Sequence, residues 1–196
     1  MDENPAMPDT AADVVLLAGV PGAGKTHTAR TVAAMRPDVR IADPEPLRTR
    51  IAAHVPGLPY RAWRPVLHAL AHIAASAQLL RAGSSPLVVH DTGTRTWSRR
   101  LFLCAAALRG LRTAAVFIDA GRAEALAGQR ARRRLVRPRA FARHWRRWEA
   151  LRTRLAAGLP PSAHERWGEV RLVTREEAPQ AVMNLLAADR RRRAPQ

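Results

Sequence analysis

A chain of 196 residues is long enough for one sizeable hydrophobic core and too short for two ordinary domains, so one domain with appendages is the expectation. Its net charge of +17, carried by 32 arginines and one lysine against 16 carboxylates, suits phosphate-rich partners; heavy use of Arg, Ala and Pro also fits a GC-rich coding bias. No apolar run reaches the ~18 residues of a membrane span, and the acidic, Pro-containing opening lacks the basic n-region of a signal peptide, so a cytoplasmic protein is expected.

Residues 1–12 are polar and unperiodic and read as a disordered leader; residues 189–196 read as a basic tail, leaving 13–188 as the single domain. Val14 to Ala18 is the first β-type run. It feeds Gly19-Val20-Pro21-Gly22-Ala23-Gly24-Lys25-Thr26, which opens a helix predicted over Lys25 to Met35. Strand, Gly19-x4-Gly24-Lys25-Thr26 and helix together spell a P-loop. Its glycines let backbone N–H groups converge on an anion, and the positive end of the helix adds to the field. Lys25 bridges the outer phosphates and the Thr26 hydroxyl ligates Mg2+, with Gly19, Pro21, Gly22, Ala23, Gly24 and His27 completing the nucleotide set. Lys25 is also the only lysine, kept where a slender point charge fits and a planar guanidinium does not. ATP and Mg2+ are therefore the expected ligands.

Val39 to Asp43 is the second predicted strand, closed by Pro44-Glu45-Pro46. Functional groups of a parallel sheet gather beyond the carboxyl ends of its strands, which brings Asp43 toward the phosphate loop. Asp43 is read as the base that takes an acceptor proton, with Arg48 positioning substrate or phosphate. Asp before Pro is equally ordinary turn chemistry, and Glu45 is the substitute if Asp43 points away. Trp63, Val66, Leu67, Leu70, Ile73, Ala77 and Leu80 recur at helical spacing before Gly83 and Pro86 stop them.

Leu87 to Asp91 is the third strand, and Asp91-Thr92-Gly93-Thr94 follows it. A carboxylate delivered there suits holding Mg2+ through its water shell, or capping a turn. Cys104, among Leu101, Phe102, Leu103 and Ala105, is expected to be a buried small hydrophobe with no disulfide partner. Ala114 to Asp119 is the fourth strand. Between 122 and 154 stand 12 arginines against only Glu124 and Glu149. Arg130 and Arg134 share a helical face, with Arg133 beside it, and can close over a γ-phosphate; a solvated basic face is the alternative. Phe141, Trp145, Trp148, Leu151 and Leu155 make a second stripe, read as core, with Arg143, Arg146, Arg147 and Arg152 off it. Val170 to Thr174 closes the series of strands, and alternation of strands with helices implies an α/β fold with a parallel sheet covered on both faces.

With these elements in place the chain resembles the polynucleotide-kinase-like group of P-loop kinases, often catalogued as AAA-domain ATPases, over roughly residues 14 to 157. Val88-Val89-His90-Asp91-Thr92-Gly93 with Arg99-Arg100 is similar to the group's hydrophobic strand, Asp-Thr-Asn segment and Arg pair. Gln129-Arg130-Ala131-Arg132-Arg133-Arg134 with Pro138 and the helix from Arg139 to Leu151 is similar to its lid. The resemblance implies a three-layer P-loop sandwich with a five-stranded parallel sheet of order 2-3-1-4-5 and an arginine-rich lid over about 122–140. It also implies ATP, Mg2+ and phosphoryl transfer to a hydroxyl. The chain departs from the group at Gly93 in place of Asn, at Ala131 in place of the lid Asn, and in Asp43-x4-Arg48 in place of Asp-x-x-Arg.

Three functions are consistent with these residues. Net charge, the basic lid and Arg190 to Arg193 favour a kinase acting on a polynucleotide 5′-hydroxyl or a nucleotide-like acceptor. A small-molecule kinase would wall its pocket with residues 61–80, Trp63 and His68 among them. A non-enzymatic ATP-binding switch would leave Asp43 structural. A ring ATPase is the least favoured alternative, because Thr92 follows Asp91 where a Glu would polarise a hydrolytic water.

Overall fold

The computed structural model describes residues 11–43, 70, 73–74, 76–80, 85–131 and 137–186. Five strands, β1 (Val14–Ala18), β2 (Arg40–Ala42), β3 (Leu87–His90), β4 (Thr113–Ile118) and β5 (Glu169–Val173), form one sheet of order β2-β3-β1-β4-β5. Every neighbouring pair is parallel. This is the expected order 2-3-1-4-5 of a P-loop kinase-like α/β fold. The central strands carry the unbroken apolar runs: every residue of β1 is buried, as is Ala114 to Ile118 of β4. Covering both faces of a parallel sheet demands such runs, whereas the edge strands β2 and β5 are only partly buried.

Helices α1 (Lys25–Met35), α2 (Thr96–Ala107), α3 (Arg122–Ala131), α4 (Pro138–Ala156) and α5 (Ala178–Leu185) pack around this sheet. α1 turns Thr28, Ala29 and Val32 inward and ends before Pro37, which cannot continue a helix. α5 packs against α1, β1, β4 and β5. α4 opens on Pro138, whose fixed φ suits a first helical turn, and buries Phe141, Trp148, Leu151 and Leu155. Trp148 stacks on Phe117 of β4 with ring centroids 6.4 Å apart, so the aromatic stripe is core. Trp145 is only partly buried and donates its indole N–H to Glu149 Oε1 at 2.6 Å.

Cys104 departs from expectation. α2 presents Phe102, Ala105 and Ala106 to the interior, and this phase leaves Cys104 exposed. A run of apolar neighbours signalled burial, but the helix has only one inward face. Ala12 precedes β1 and donates its N–H to Leu185 O at 2.6 Å, bridging the end of α5. Among the described residues no helix is long and apolar enough to cross a membrane. The predicted helix from Trp63 lies mostly outside the described residues, although residues 76–80 are helical with Leu79 buried.

Candidate active site

Register fixes where the site lies. Leu17 pairs with His90 of β3 and Val116 of β4, so β1, β3 and β4 end side by side, and the order of strands reverses across β1. A crevice beyond the carboxyl ends opens at such a switch point. Gly19 to Thr26 occupies it. Gly24 caps α1 in the left-handed region (φ +107) and gives its carbonyl to His27 N–H at 2.8 Å and Thr28 N–H at 3.1 Å. Gly22 is also left-handed (φ +96), and a Cβ there would collide with the Ala125 carbonyl of α3. Lys25 is buried at 8% exposure, and its Nζ donates to Gly19 O at 2.7 Å and Val20 O at 3.1 Å. The ammonium is thus stowed against the loop from which a phosphate would be bridged. Thr26 is half-buried and His27 exposed.

Asp91 directly follows β3 and is buried. Its N–H donates to Leu17 O at 3.1 Å, while Gly19 N–H donates to Thr92 O at 3.1 Å, so the carboxylate-bearing turn and the loop are stitched together. Oδ2 of Asp91 accepts the Gly93 N–H and the Ser98 hydroxyl, both at 3.1 Å. The turn and the carboxylate are one unit. Gly93 is left-handed (φ +63), and a Cβ there would run into Ala18 Cβ, which accounts for glycine where the resembling group carries Asn.

Behind this turn lies an ion pair that the sequence does not announce. Arg99 and Glu165 are both buried, and Arg99 Nη1 also donates to Gly93 O at 2.6 Å. Trp167 adds its indole N–H to Glu165 Oε2 at 3.1 Å. Asp43 follows β2, and its Oδ1 lies 3.2 Å from Nδ1 of His90, the last residue of β3. Thr94 Oγ1 lies 3.4 Å from Nδ1 of His144, which ties α4 to the Asp91 turn. Arg130 is exposed near the end of α3. Glu45, Arg48, Trp63, His68, Arg133, Arg134 and Arg190 to Arg193 lie outside the described residues.

Two further side chains reach the loop unannounced. Gln129, only 3% exposed, donates Nε2 to Pro21 O at 3.0 Å, and Arg175, in the turn between β5 and α5, donates to Gly22 O and Ala23 O. A polar residue inside α3 that proves buried is the one signal that marks Gln129 in retrospect.

The sheet order and a phosphate loop at its switch point define a nucleotide-binding P-loop protein with a kinase-like fold. The chain belongs to the AAA domain family, whose model matches residues 14–157. It is similar to Mycobacterium tuberculosis APS kinase CysC in complex with AMPPNP and APS, at 18% identity and TM-score 0.55, covering 91% of this chain and 98% of that one. It is similar to Chaetomium thermophilum Kti12 in complex with ADP-AlF3, at 17% identity and TM-score 0.53, with 89% and 100% covered. It is also similar to the Deinococcus radiodurans tunicamycin resistance protein, at 21% identity and TM-score 0.52, with 89% and 96% covered. At such identities the likeness carries the fold. No curated protein sequence is significantly similar to this chain.

Proposed function

We propose that the protein is an ATP-dependent phosphotransferase that moves the γ-phosphoryl group of ATP to an acceptor hydroxyl, with a polynucleotide 5′-hydroxyl as the acceptor. The observation that carries the reading is the Asp91 turn at the end of the adjacent strand β3, bonded to the Lys25 loop, with Asp43 one strand further out after β2 and 3.2 Å from His90. Gly19 to Thr26 would hold the nucleotide phosphates, with His27 on the first turn of α1. Asp43 takes the proton of the attacking hydroxyl as the new O–P bond forms and the bond to the ADP oxygen breaks. Arg48 would orient the acceptor, and Arg130 with Arg134 would meet the charge on the transferring group.

The residues fit Mg2+. Thr26 offers a hydroxyl, and Asp91 a carboxylate whose orientation is locked by Gly93 and Ser98, the hard oxygen donors that this ion takes beside phosphate and water. Held there by Thr26 and Asp91, Mg2+ would supply neutralisation of the phosphate charge.

The acceptor class rests on α4. Arg139, Arg143, Arg146 and Arg147 fall within about 100° of one exposed helical face and along about 12 Å of its axis. None of the four makes a hydrogen bond or ion pair among the described residues, whereas Arg152, off that face, is held by Asp119 at 2.8 Å. A row of unpaired guanidinium groups on the helix whose His144 meets Thr94 of the Asp91 turn suits a strand of phosphates. A metabolite acceptor is the second reading, favoured by the likeness to a kinase solved with APS. Transfer of radiolabelled γ-phosphate to 5′-hydroxyl RNA, 5′-hydroxyl DNA and a metabolite panel, with Lys25→Ala as control, decides between them. No transfer to any of these would reject the kinase reading and leave a nucleotide-binding switch.

A further inference from the structure

A phosphate loop binds anions only if its N–H groups point inward. In a trans peptide the C=O and N–H of one unit point in opposite directions, so a carbonyl fixed on the outside aims the next residue's N–H to the inside. Here every carbonyl from Gly19 to Ala23 is fixed by a side chain. Lys25 Nζ takes Gly19 O and Val20 O. Gln129 Nε2 takes Pro21 O at 3.0 Å. Arg175 takes the remaining two, Nη2 donating to Gly22 O at 2.9 Å and Nε to Ala23 O at 3.2 Å.

We propose that Gln129 and Arg175 are positioning residues for nucleotide phosphate, setting the Pro21–Gly22 and Ala23–Gly24 peptides so that the amides of Gly22 and Gly24 face the anion. Neither side chain touches phosphate in this arrangement; both act through the loop's outer carbonyls. Each donor is itself anchored. Gln129 is sealed between α3 and the loop, where Gly128 lets the backbones meet: a Cβ at Gly128 would collide with Gly22 O. Arg175 Nη2 lies 3.1 Å from Glu124 Oε1 of α3, so the same guanidinium joins the loop, α3 and the β5–α5 turn. That turn is closed by Thr174 and Glu177. The Thr174 N–H and hydroxyl donate to Glu177 Oε2 at 2.9 Å, and Glu177 N–H returns to Thr174 Oγ1 at 3.3 Å, the reciprocal pattern of a capping box. The planar guanidinium matters because two successive carbonyls need two donors at fixed spacing. An ammonium at 175 supplies a point charge without that spacing.

The test is equilibrium binding of ADP, inorganic tripolyphosphate and adenosine to the full chain and to Gln129→Leu, Gln129→Glu, Arg175→Met and Arg175→Lys, with urea midpoints measured on each. Gln129→Leu and Arg175→Met are expected to bind ADP and tripolyphosphate about tenfold more weakly, the worth of a lost hydrogen bond at this site, with adenosine binding unchanged. Gln129→Glu, which turns a donor into an acceptor facing Pro21 O, is expected to be as weak as Gln129→Leu at an unchanged side-chain size. Arg175→Lys is expected to lie between parent and Arg175→Met. If Gln129→Leu or Arg175→Met fails to fold, Gln129→Glu and Arg175→Lys carry the test. ADP affinities within twofold of the parent in folded variants at both positions would overturn the proposal. Equal losses for adenosine and ADP would also overturn it, since they would put the two residues at the base.

Discussion

Arg99 and Glu165 meet fork to fork, Nε to Oε2 at 2.7 Å and Nη2 to Oε1 at 2.8 Å, with the Glu165 side chain wholly withdrawn from solvent. Removing one partner leaves the other as an uncompensated buried charge. Glu165→Gln is therefore expected to lower unfolding free energy by about 3 kcal/mol, read from urea denaturation. Because Arg99 also holds Gly93 O, Arg99→Met should additionally loosen the turn that carries Asp91. Amide exchange at Gly93 is expected to rise with it.

Gly128→Ala tests the contact between α3 and the loop. Inside an unencumbered helix this change stabilises by about 1 kcal/mol. Here the added methyl meets Gly22 O, so the expected sign is reversed, with a loss of about 1–3 kcal/mol and weaker ADP binding. Gly121→Ala, which has open space around its Cβ position, is the control and should leave ADP affinity unchanged.

Glu177 gives the β5–α5 turn a pH dependence. Its carboxylate is held below the ordinary glutamate range by the hydrogen bond from the Thr174 N–H and then by that from the Thr174 hydroxyl. A depressed carboxyl contributes stability that is present above its unfolded value and is lost as pH falls through its folded value. Glu177→Gln is thus expected to be less stable than the parent at neutral pH. The two urea midpoints should converge once pH has fallen below the lowered folded value, where both side chains are uncharged.

The row of arginines on α4 predicts a salt dependence. Replacing Arg139, Arg143, Arg146 and Arg147 by Ala should weaken binding of a single-stranded oligonucleotide. The slope of log K against log salt should fall by about 0.7 for each contact removed. An unchanged slope would place the strand elsewhere, and ADP affinity, set by the loop, should not move.

The strands were legible because a parallel sheet buried on both faces imposes unbroken apolar runs; β1 and β4 carry them without a polar interruption. The loop was legible because its chemistry is local, eight residues between a strand and a helix. Asp91 was placed at the loop by strand order alone. The residues that support these groups were not legible. Glu165 sits in an unperiodic stretch between α4 and β5, and nothing near it in sequence points to Arg99, 66 residues away. Arg175 lies 152 residues from Ala23, and only the folded topology makes them neighbours. Arg99 and Arg100 read as a pair, yet helical phase buries the first and exposes the second. The same phase argument explains Cys104.

The single lysine has a practical consequence. A lysine-specific protease has one cleavage site in this chain, the bond after Lys25, and that site is the first turn of α1 with its ammonium tucked under Gly19 and Val20. Cutting requires the loop to open, so the cleavage rate reports the fraction of molecules in which it is open when reclosing outruns the protease. The chain thus carries its own gauge of loop opening, read as one band becoming two without any introduced label. A ligand that holds the loop shut will slow that conversion.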